Sequence, residues 1–511
     1  MEGLIFKQRD KYSIELKLRH VMGGRSKERK SGYRLGLYFF LPQSFHINPE
    51  TYDRDTFYDD TKLYIRFNTP YFAVTDLLDS ESDRSPLIRA EQMVRDAAEG
   101  RALPADRFFY ETKMLGAVYK SMLRESIRRL RREMPDTDVG SYVEKPATAA
   151  ARELHKVAVR FHDLTRQVEE LEALSELRTH TRMIDEHLSL LFERYLTAFL
   201  DQCEYDEGDN SAYNKIARIL VKEIQYRGQV DYPTSEPNPD VEQQMEEYVY
   251  REKMLKRYVS EVLFFRVKKT DEAKRAEHLL YALAAGIAMV FATAIAFYGQ
   301  TAFGNITTSL FVLLVVSYML KDRMKDFFRD LFSRSIGGRF PDRRESLYDA
   351  IQGRKLAVVK ERVAFVPERK LSPEVRTARN RGEFEEALFA TAGERVLHYR
   401  KDVSLKSKTL RKTHYRVRGI ADISIVNLES FLRHLAVQYG RIPLALGKKK
   451  VSIVGVKRIY HLNVVIVYES EEGRSGLRRF RLVVDAKGIK RVEEVPREPG
   501  SGPIPGAGKL S

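Results

Sequence analysis

LLYALAAGIAMVFATAIAFYGQTAFGNITTSLFVLLVVSYML, residues Leu279 to Leu320, runs 42 positions without one Asp, Glu, Lys or Arg. A polar stretch from Gly299 to Asn305 divides it. A hydrocarbon layer roughly 30 Å thick asks for about 20 apolar residues of helix. The segment therefore predicts two membrane spans, 279–298 and 303–320, joined by a tight turn. The rest of the chain is too charged to enter lipid.

Basic residues flank the pair on both sides. Arg266, Lys268, Lys269, Lys274 and Arg275 precede it, Lys321, Arg323, Lys325 and Arg329 follow it, and the turn has none. Lys and Arg near span ends stay on the cytoplasmic side. The expectation is a multi-pass protein of the inner (plasma) membrane with both termini cytoplasmic, of bacterial type. Met1 to His20 lacks an apolar core of signal-peptide length, which leaves the first span as the targeting signal. The Asn305-Ile306-Thr307 sequon lies too near the membrane to read as an acceptor.

Outward from the spans, composition fits a reducing compartment. Cys203 is the only cysteine among 511 residues, which excludes an internal disulfide and an all-cysteine zinc site. The formal charge of +16 suits nucleic acid or an anionic leaflet. Anionic membrane lipids are the partner preferred, with nucleic acid as the alternative.

Before the spans, Tyr12, Ile14, Leu16 and Leu18 alternate with polar residues, the period of a strand buried on one face. Residues 34–41 and 62–67 read as further strands of a small antiparallel sheet over 1–85. Asp53, Asp55, Asp59 and Asp60 invite a calcium reading, but Phe57 stands where an oxygen ligand is needed, so a solvated loop is expected. From 86 to 275 the period turns helical. Leu154, Val157, Phe161, Leu164, Val168 and Leu171 keep three-four spacing, and a phase shift near Leu174 to Leu177 is either a stutter or a turn. Val241, Tyr248, Leu255 and Val262 recur every seven residues and lead toward the first span. The helices form a stalk that pairs between chains or an antiparallel bundle within one chain.

In the first span Ala284, Ala288, Ala292 and Ala296 repeat every four residues, a stripe for close helix packing that receives the second span of the same hairpin or the same stripe of a partner. The same stripe, or the 241–265 heptads, would support a homo-oligomer. No intramembrane charge or broken helix marks a transport path. After the second span, Met324, Phe327, Phe328, Leu331 and Phe332 share one face, as in a helix lying in the interface over 321–345. Residues 346–495 read as mostly antiparallel strands, and 496–511 as a disordered tail.

The densest charge lies in the second β region. Arg395 to Arg418 holds nine Lys or Arg against Asp402 alone, and Lys448 to Lys450 add three more. Arg400, Lys401, Lys406, Lys408, Arg411 and Lys412 are the candidate contacts to anionic lipid. Enzyme signals fail. Gly506-Ala507-Gly508-Lys509 lacks the hydroxyl residue of a phosphate loop. His155, His162 and Asp163 carry part of a metal phosphohydrolase pattern, but sit on one helix without a nameable acidic partner and read as surface residues. His398, His414, His434 and His461 have no short ligand spacing. No catalytic, cofactor or metal residue is assigned.

The fold class expected is an α+β integral membrane protein: a small N-terminal sheet, a helical or coiled-coil region, a two-helix transmembrane hairpin and a C-terminal β domain. The function expected is a membrane-anchored cytoplasmic scaffold or sensor. A membrane-tethered enzyme of unfamiliar fold, or an oligomeric pore, are the alternatives.

Overall fold

The computed structural model describes residues 3–21, 31–133, 144–171, 175–203, 212–232, 241–270, 272–303, 308–336, 341–349, 353–379, 393–413, 416–417, 419–437, 439–445 and 451–496. The sequon turn, the Lys448–Lys450 cluster and the glycine-rich tail lie outside them. The chain is an α+β fold of helices and antiparallel sheets.

Strands β1 (Leu4–Gln8), β2 (Ser13–Val21), β3 (Ser31–Pro42) and β4 (Thr61–Phe67) come from the first β region. The edge strand β5 (Arg266–Thr270) follows the helical region. The rest come from the second β region: β6 (Arg343–Tyr348), β7 (Lys355–Val366), β8 (Glu394–Leu405), β9 (Gly419–Asn427), β10 (Tyr439–Ala445), β11 (Val451–Lys457), β12 (Tyr460–Ser470), β13 (Ser475–Asp485) and β14 (Gly488–Val495). They do not form separate domains. One sheet has the order β1-β2-β9-β4, and an eight-stranded sheet has the order β14-β13-β12-β3-β8-β7-β6-β5. Strand β9 thus completes the N-terminal sheet, and β3 sits in the middle of the C-terminal one. The expected division at residues 85 and 346 gives way to one interleaved β body.

The burial patterns follow from these positions. In β2, Ile14, Leu16 and Leu18 are buried while their neighbours face outward, as the alternation predicts. Strand β9 is buried along nearly its whole length, because β2 and β4 pair with its two edges and both of its faces are covered. The tight β13–β14 turn needs Gly488: its φ is +141°, and a Cβ there would meet Lys11 O at 2.5 Å.

Helix α1 (Arg54–Asp59) occupies the expected aspartate loop, with Asp53 as its N-cap: Oδ1 accepts from Thr56 N at 2.8 Å. Helix α2 (Val74–Leu78) leads to α3 (Pro86–Ala98), which starts on Ser85 and has Pro86 at its first turn. The helices α4 (Ala105–Glu133), α5 (Glu144–Glu170), α6 (Ser175–Leu200), α7 (Ala212–Gln229) and α8 (Val241–Ser260) then form a bundle. Its central member is α6, which packs on α4, α5, α7 and α8. The α5 seam of Leu154, Val157, Phe161, Leu164 and Val168 is buried inside the same chain, so the bundle is intramolecular. The phase shift coincides with a change from α5 to α6. Bundle and sheets share one hydrophobic core, joined where Phe67 and Phe265 lie ring to ring at 4.3 Å.

Helix α8 does not run into the expected first span. It ends at Ser260, and β5 intervenes before α9 (Glu272–Phe303). Helix α10 (Thr308–Ile336) runs back alongside α9, and the chain re-enters the sheet as β6, paired antiparallel with β5. Thr270 stands opposite Arg344, so the two ends of the α9–α10 excursion are tied together at the sheet edge. The amphipathic segment expected over 321–345 is no separate helix: its first part is the end of α10, and its last residues lie in β6. Among the described residues the β body also holds three short helices, α11 (Pro373–Arg379), α12 (Ser407–Thr413) and α13 (Glu429–Leu432).

Candidate functional site

Helix α9 contains the one described segment, His278–Ala302, that is long and apolar enough to cross a membrane. The expected second span lies partly outside the described residues. On α9 the alanine stripe faces α10: Ala284 and Ala288 are fully buried, and Ala292 and Ala296 are half-buried. Gly299 continues the close approach, since a Cβ there would meet Leu313 Cδ2 at 2.6 Å. Near the sheet end, the Arg329 guanidinium lies over the Tyr281 ring at 4.4 Å. The outer surface of the pair is apolar: Leu279, Val290, Phe297 and Phe311 are 67–72 % exposed.

The alanine stripe thus meets the second helix of the same pair, one of its two expected partners, and the heptad positions are partly buried within the chain. Ala284 and Ala288 meet α10, and Leu255 and Val262 are buried.

The six candidate lipid contacts separate into four groups. Lys406 and Lys408 are exposed. Arg400 is half-exposed but shares Asp402 with Arg34, at 2.9 Å and 2.8 Å, and Arg34 also reaches Glu469 at 3.2 Å. Lys401 is a correction: it is 1 % exposed and its Nζ lies 2.7 Å from Asp422 Oδ1 and 3.8 Å from Glu361 Oε1. Strand alternation turns it inward between two outward-facing neighbours. The Arg411 and Lys412 side chains lie outside the described residues.

Around Lys401 the two sheets meet through a polar cluster. Tyr33 Oη donates to Asp422 Oδ2 at 2.8 Å, and Tyr399 Oη donates to Glu361 Oε1 at 2.8 Å. Burial raises Glu361 above the ordinary carboxylate range, with the Lys401 charge opposing. Burial pulls Lys401 down, but Asp422 and Glu361 outweigh it and hold the ammonium above its usual value. The sequence held one signal for this cluster: Asp422 stands in a strand, GIADISIVN, otherwise apolar enough to be buried, and a buried carboxylate needs a partner.

The second buried cluster overturns another expectation. His155 and His162 do not lie on the surface of α5. His155 Nε2 is 2.8 Å from Glu223 Oε2 on α7, and His162 Nδ1 is 2.6 Å from Asp185 Oδ1 on α6. Tyr226 Oη donates to the second Asp185 oxygen at 2.7 Å, and its ring stacks on His162 at 3.7 Å. Asp163, the remaining member of the partial motif, faces solvent and pairs with Arg166. Among the described residues no group of three His, Cys, Asp or Glu is arranged to hold a metal. The imidazoles are engaged with the carboxylates themselves, so the cluster reads as an ionic core. His398 stacks on Tyr38 and is pulled down to about 4, first by burial and then by the Arg400 and Arg362 charges.

A cleft of about 410 Å³ opens beside Asn68, Pro70, Tyr71, Asp76, Arg84 and Arg416. No family model, no curated protein and no solved structure matches the chain.

Proposed function

We propose that the chain is a membrane-anchored scaffold or sensor, in which the α9–α10 pair is a two-helix transmembrane hairpin and the interleaved β body with its helical bundle works on one side of the bilayer. The observation that carries this reading is the exposed apolar outer surface of α9 and α10. Such a surface greatly exceeds what a water-facing helix pair retains. The β5–β6 pairing supports the same arrangement, because it returns the chain to the face of the body from which it left. Exposed Lys406 and Lys408 supply cations for an anionic leaflet.

The pairing of Thr270 with Arg344 supplies the test. Replacing residues 272–341 by a short turn should convert β5 and β6 into a simple hairpin. The shortened chain should be soluble without detergent and keep the thermal transition of the body, while the full chain stays in membranes through alkaline carbonate extraction. A full chain released by carbonate would refute the anchor.

A further inference from the structure

Lys401, Asp422 and Glu361 lie on three different strands, and each is no more than 2 % exposed. Glu361 stands directly opposite Lys401 in the β7–β8 pair, and Asp422 reaches them from β9 in the other sheet. A primary amine in contact with a carboxyl group, both away from water, is the starting geometry of amide formation. We propose that Lys401 and Asp422 condense without any added factor into an intramolecular isopeptide bond, with Glu361 as the proton relay.

The step balances within the cluster. The proton of the Lys401 ammonium passes to a carboxylate, leaving a neutral amine and a neutral acid. Asp422 and Glu361 hold the ammonium above its usual value, so the neutral pair is the minor form through which the step runs. The Nζ lone pair attacks Cγ of Asp422 and forms the C–N bond. Glu361 takes the second nitrogen proton and delivers it to the departing oxygen, so one C–O bond breaks and one water leaves. No oxidation or reduction occurs.

Each neighbour has a part in this step. The Tyr33 hydroxyl, 2.8 Å from Asp422 Oδ2, donates to the oxygen on which negative charge develops. The Tyr399 hydroxyl holds Glu361 through Oε1, the same oxygen that faces Nζ at 3.8 Å. The burial that raises Glu361 suits a group that must accept and return a proton. Proximity is already supplied, since Nζ and the carboxyl are held by sheets that share one core. The product would tie the eight-stranded sheet to the four-stranded one covalently.

Mass spectrometry of the denatured full chain decides the matter. The wild type should be lighter than its sequence mass by one water, and digestion should yield a branched peptide joining Lys401 to Asp422. Lys401→Arg should run at its full sequence mass whether or not it folds. Glu361→Gln should leave the linkage unformed or greatly slowed while retaining the circular dichroism of the wild type. A wild type at full mass, with unmodified peptides spanning Lys401 and Asp422, would overturn the proposal. A Glu361→Gln protein linked as completely as the wild type would remove Glu361 from the reaction.

Discussion

His162 sits between two carboxylates from two other helices: Nδ1 is 2.6 Å from Asp185 on α6, and Nε2 is 3.2 Å from Glu223 on α7. Burial by itself would lower the imidazole, but the hydrogen bonds to Asp185 and Glu223 outweigh it and push His162 up to about 9. A group raised in the folded state stabilises fully below its unfolded value, near 6.5, and that contribution is lost as pH rises through about 9. Glu223 has the opposite sign. Its hydrogen bonds to His155 and His162 outweigh burial and hold it low, so its contribution is lost as the medium becomes strongly acidic. Denaturant melts should therefore show stability falling from pH 7 to pH 9.5, by up to about 3 kcal/mol. His162→Gln should be less stable at pH 7 and should flatten that alkaline decline. An unchanged alkaline slope in the variant would contradict the assignment.

The α9–α10 contact gives a position-specific prediction. Ala284 and Ala288 are fully buried, whereas a Cβ at Gly286, between them in sequence, would have nothing within 4 Å. Leu at Ala284 and Ala288 together should overpack the contact and destabilise it by about 1–3 kcal/mol. Gly286→Ala should be neutral or stabilise by up to about 1 kcal/mol. Thermal melts in detergent compare them; equal effects at both sites would show that the stripe does not face α10.

For the basic surface, only the solvent-facing cations should matter. In anionic nanodiscs Lys406 and Lys408 should be protected from trypsin, and the protection should fade in neutral nanodiscs or at high salt. Changing both to Gln should weaken the surface contact by about 1 kcal/mol per cation. Lys401→Gln should act differently: it removes the amine that faces Asp422 and Glu361 in the core, and so lowers stability without touching the surface contact. Protection that is indifferent to lipid charge would remove headgroups from the account.

What the sequence made legible were features carried by local periodicity. Ile14, Leu16 and Leu18 announced β2, the α5 seam announced its helix, and the charge-free run announced α9. Pairings between distant segments were hidden, because period-two alternation tells which face of a strand is buried but not which strand lies beside it. Hence β9 could not be seen between β2 and β4. The same limit misplaced Lys401. A run of nine cations reads as one basic face until alternation along β8 sends alternate residues to opposite sides. His155 and His162 were misread for a related reason: seven residues apart, they share a helix face, but Asp185 and Glu223 reach that face only when α6 and α7 fold against it. Break points were equally obscure, since the heptad pattern of α8 carries no sign that β5 will interrupt it before α9.

In the proposed arrangement α9 and α10 cross a bilayer while the β body and bundle remain on one side. Gln300 is exposed at the far end of α9, and Lys62 is exposed on β4 of the body. In a Cys203→Ser background, single cysteines at these two positions can be treated with a membrane-impermeant maleimide in intact cells and again after lysis. Gln300→Cys should react in intact cells and Lys62→Cys only after lysis. A Gln300→Cys that stays silent until lysis, like Lys62→Cys, would contradict it.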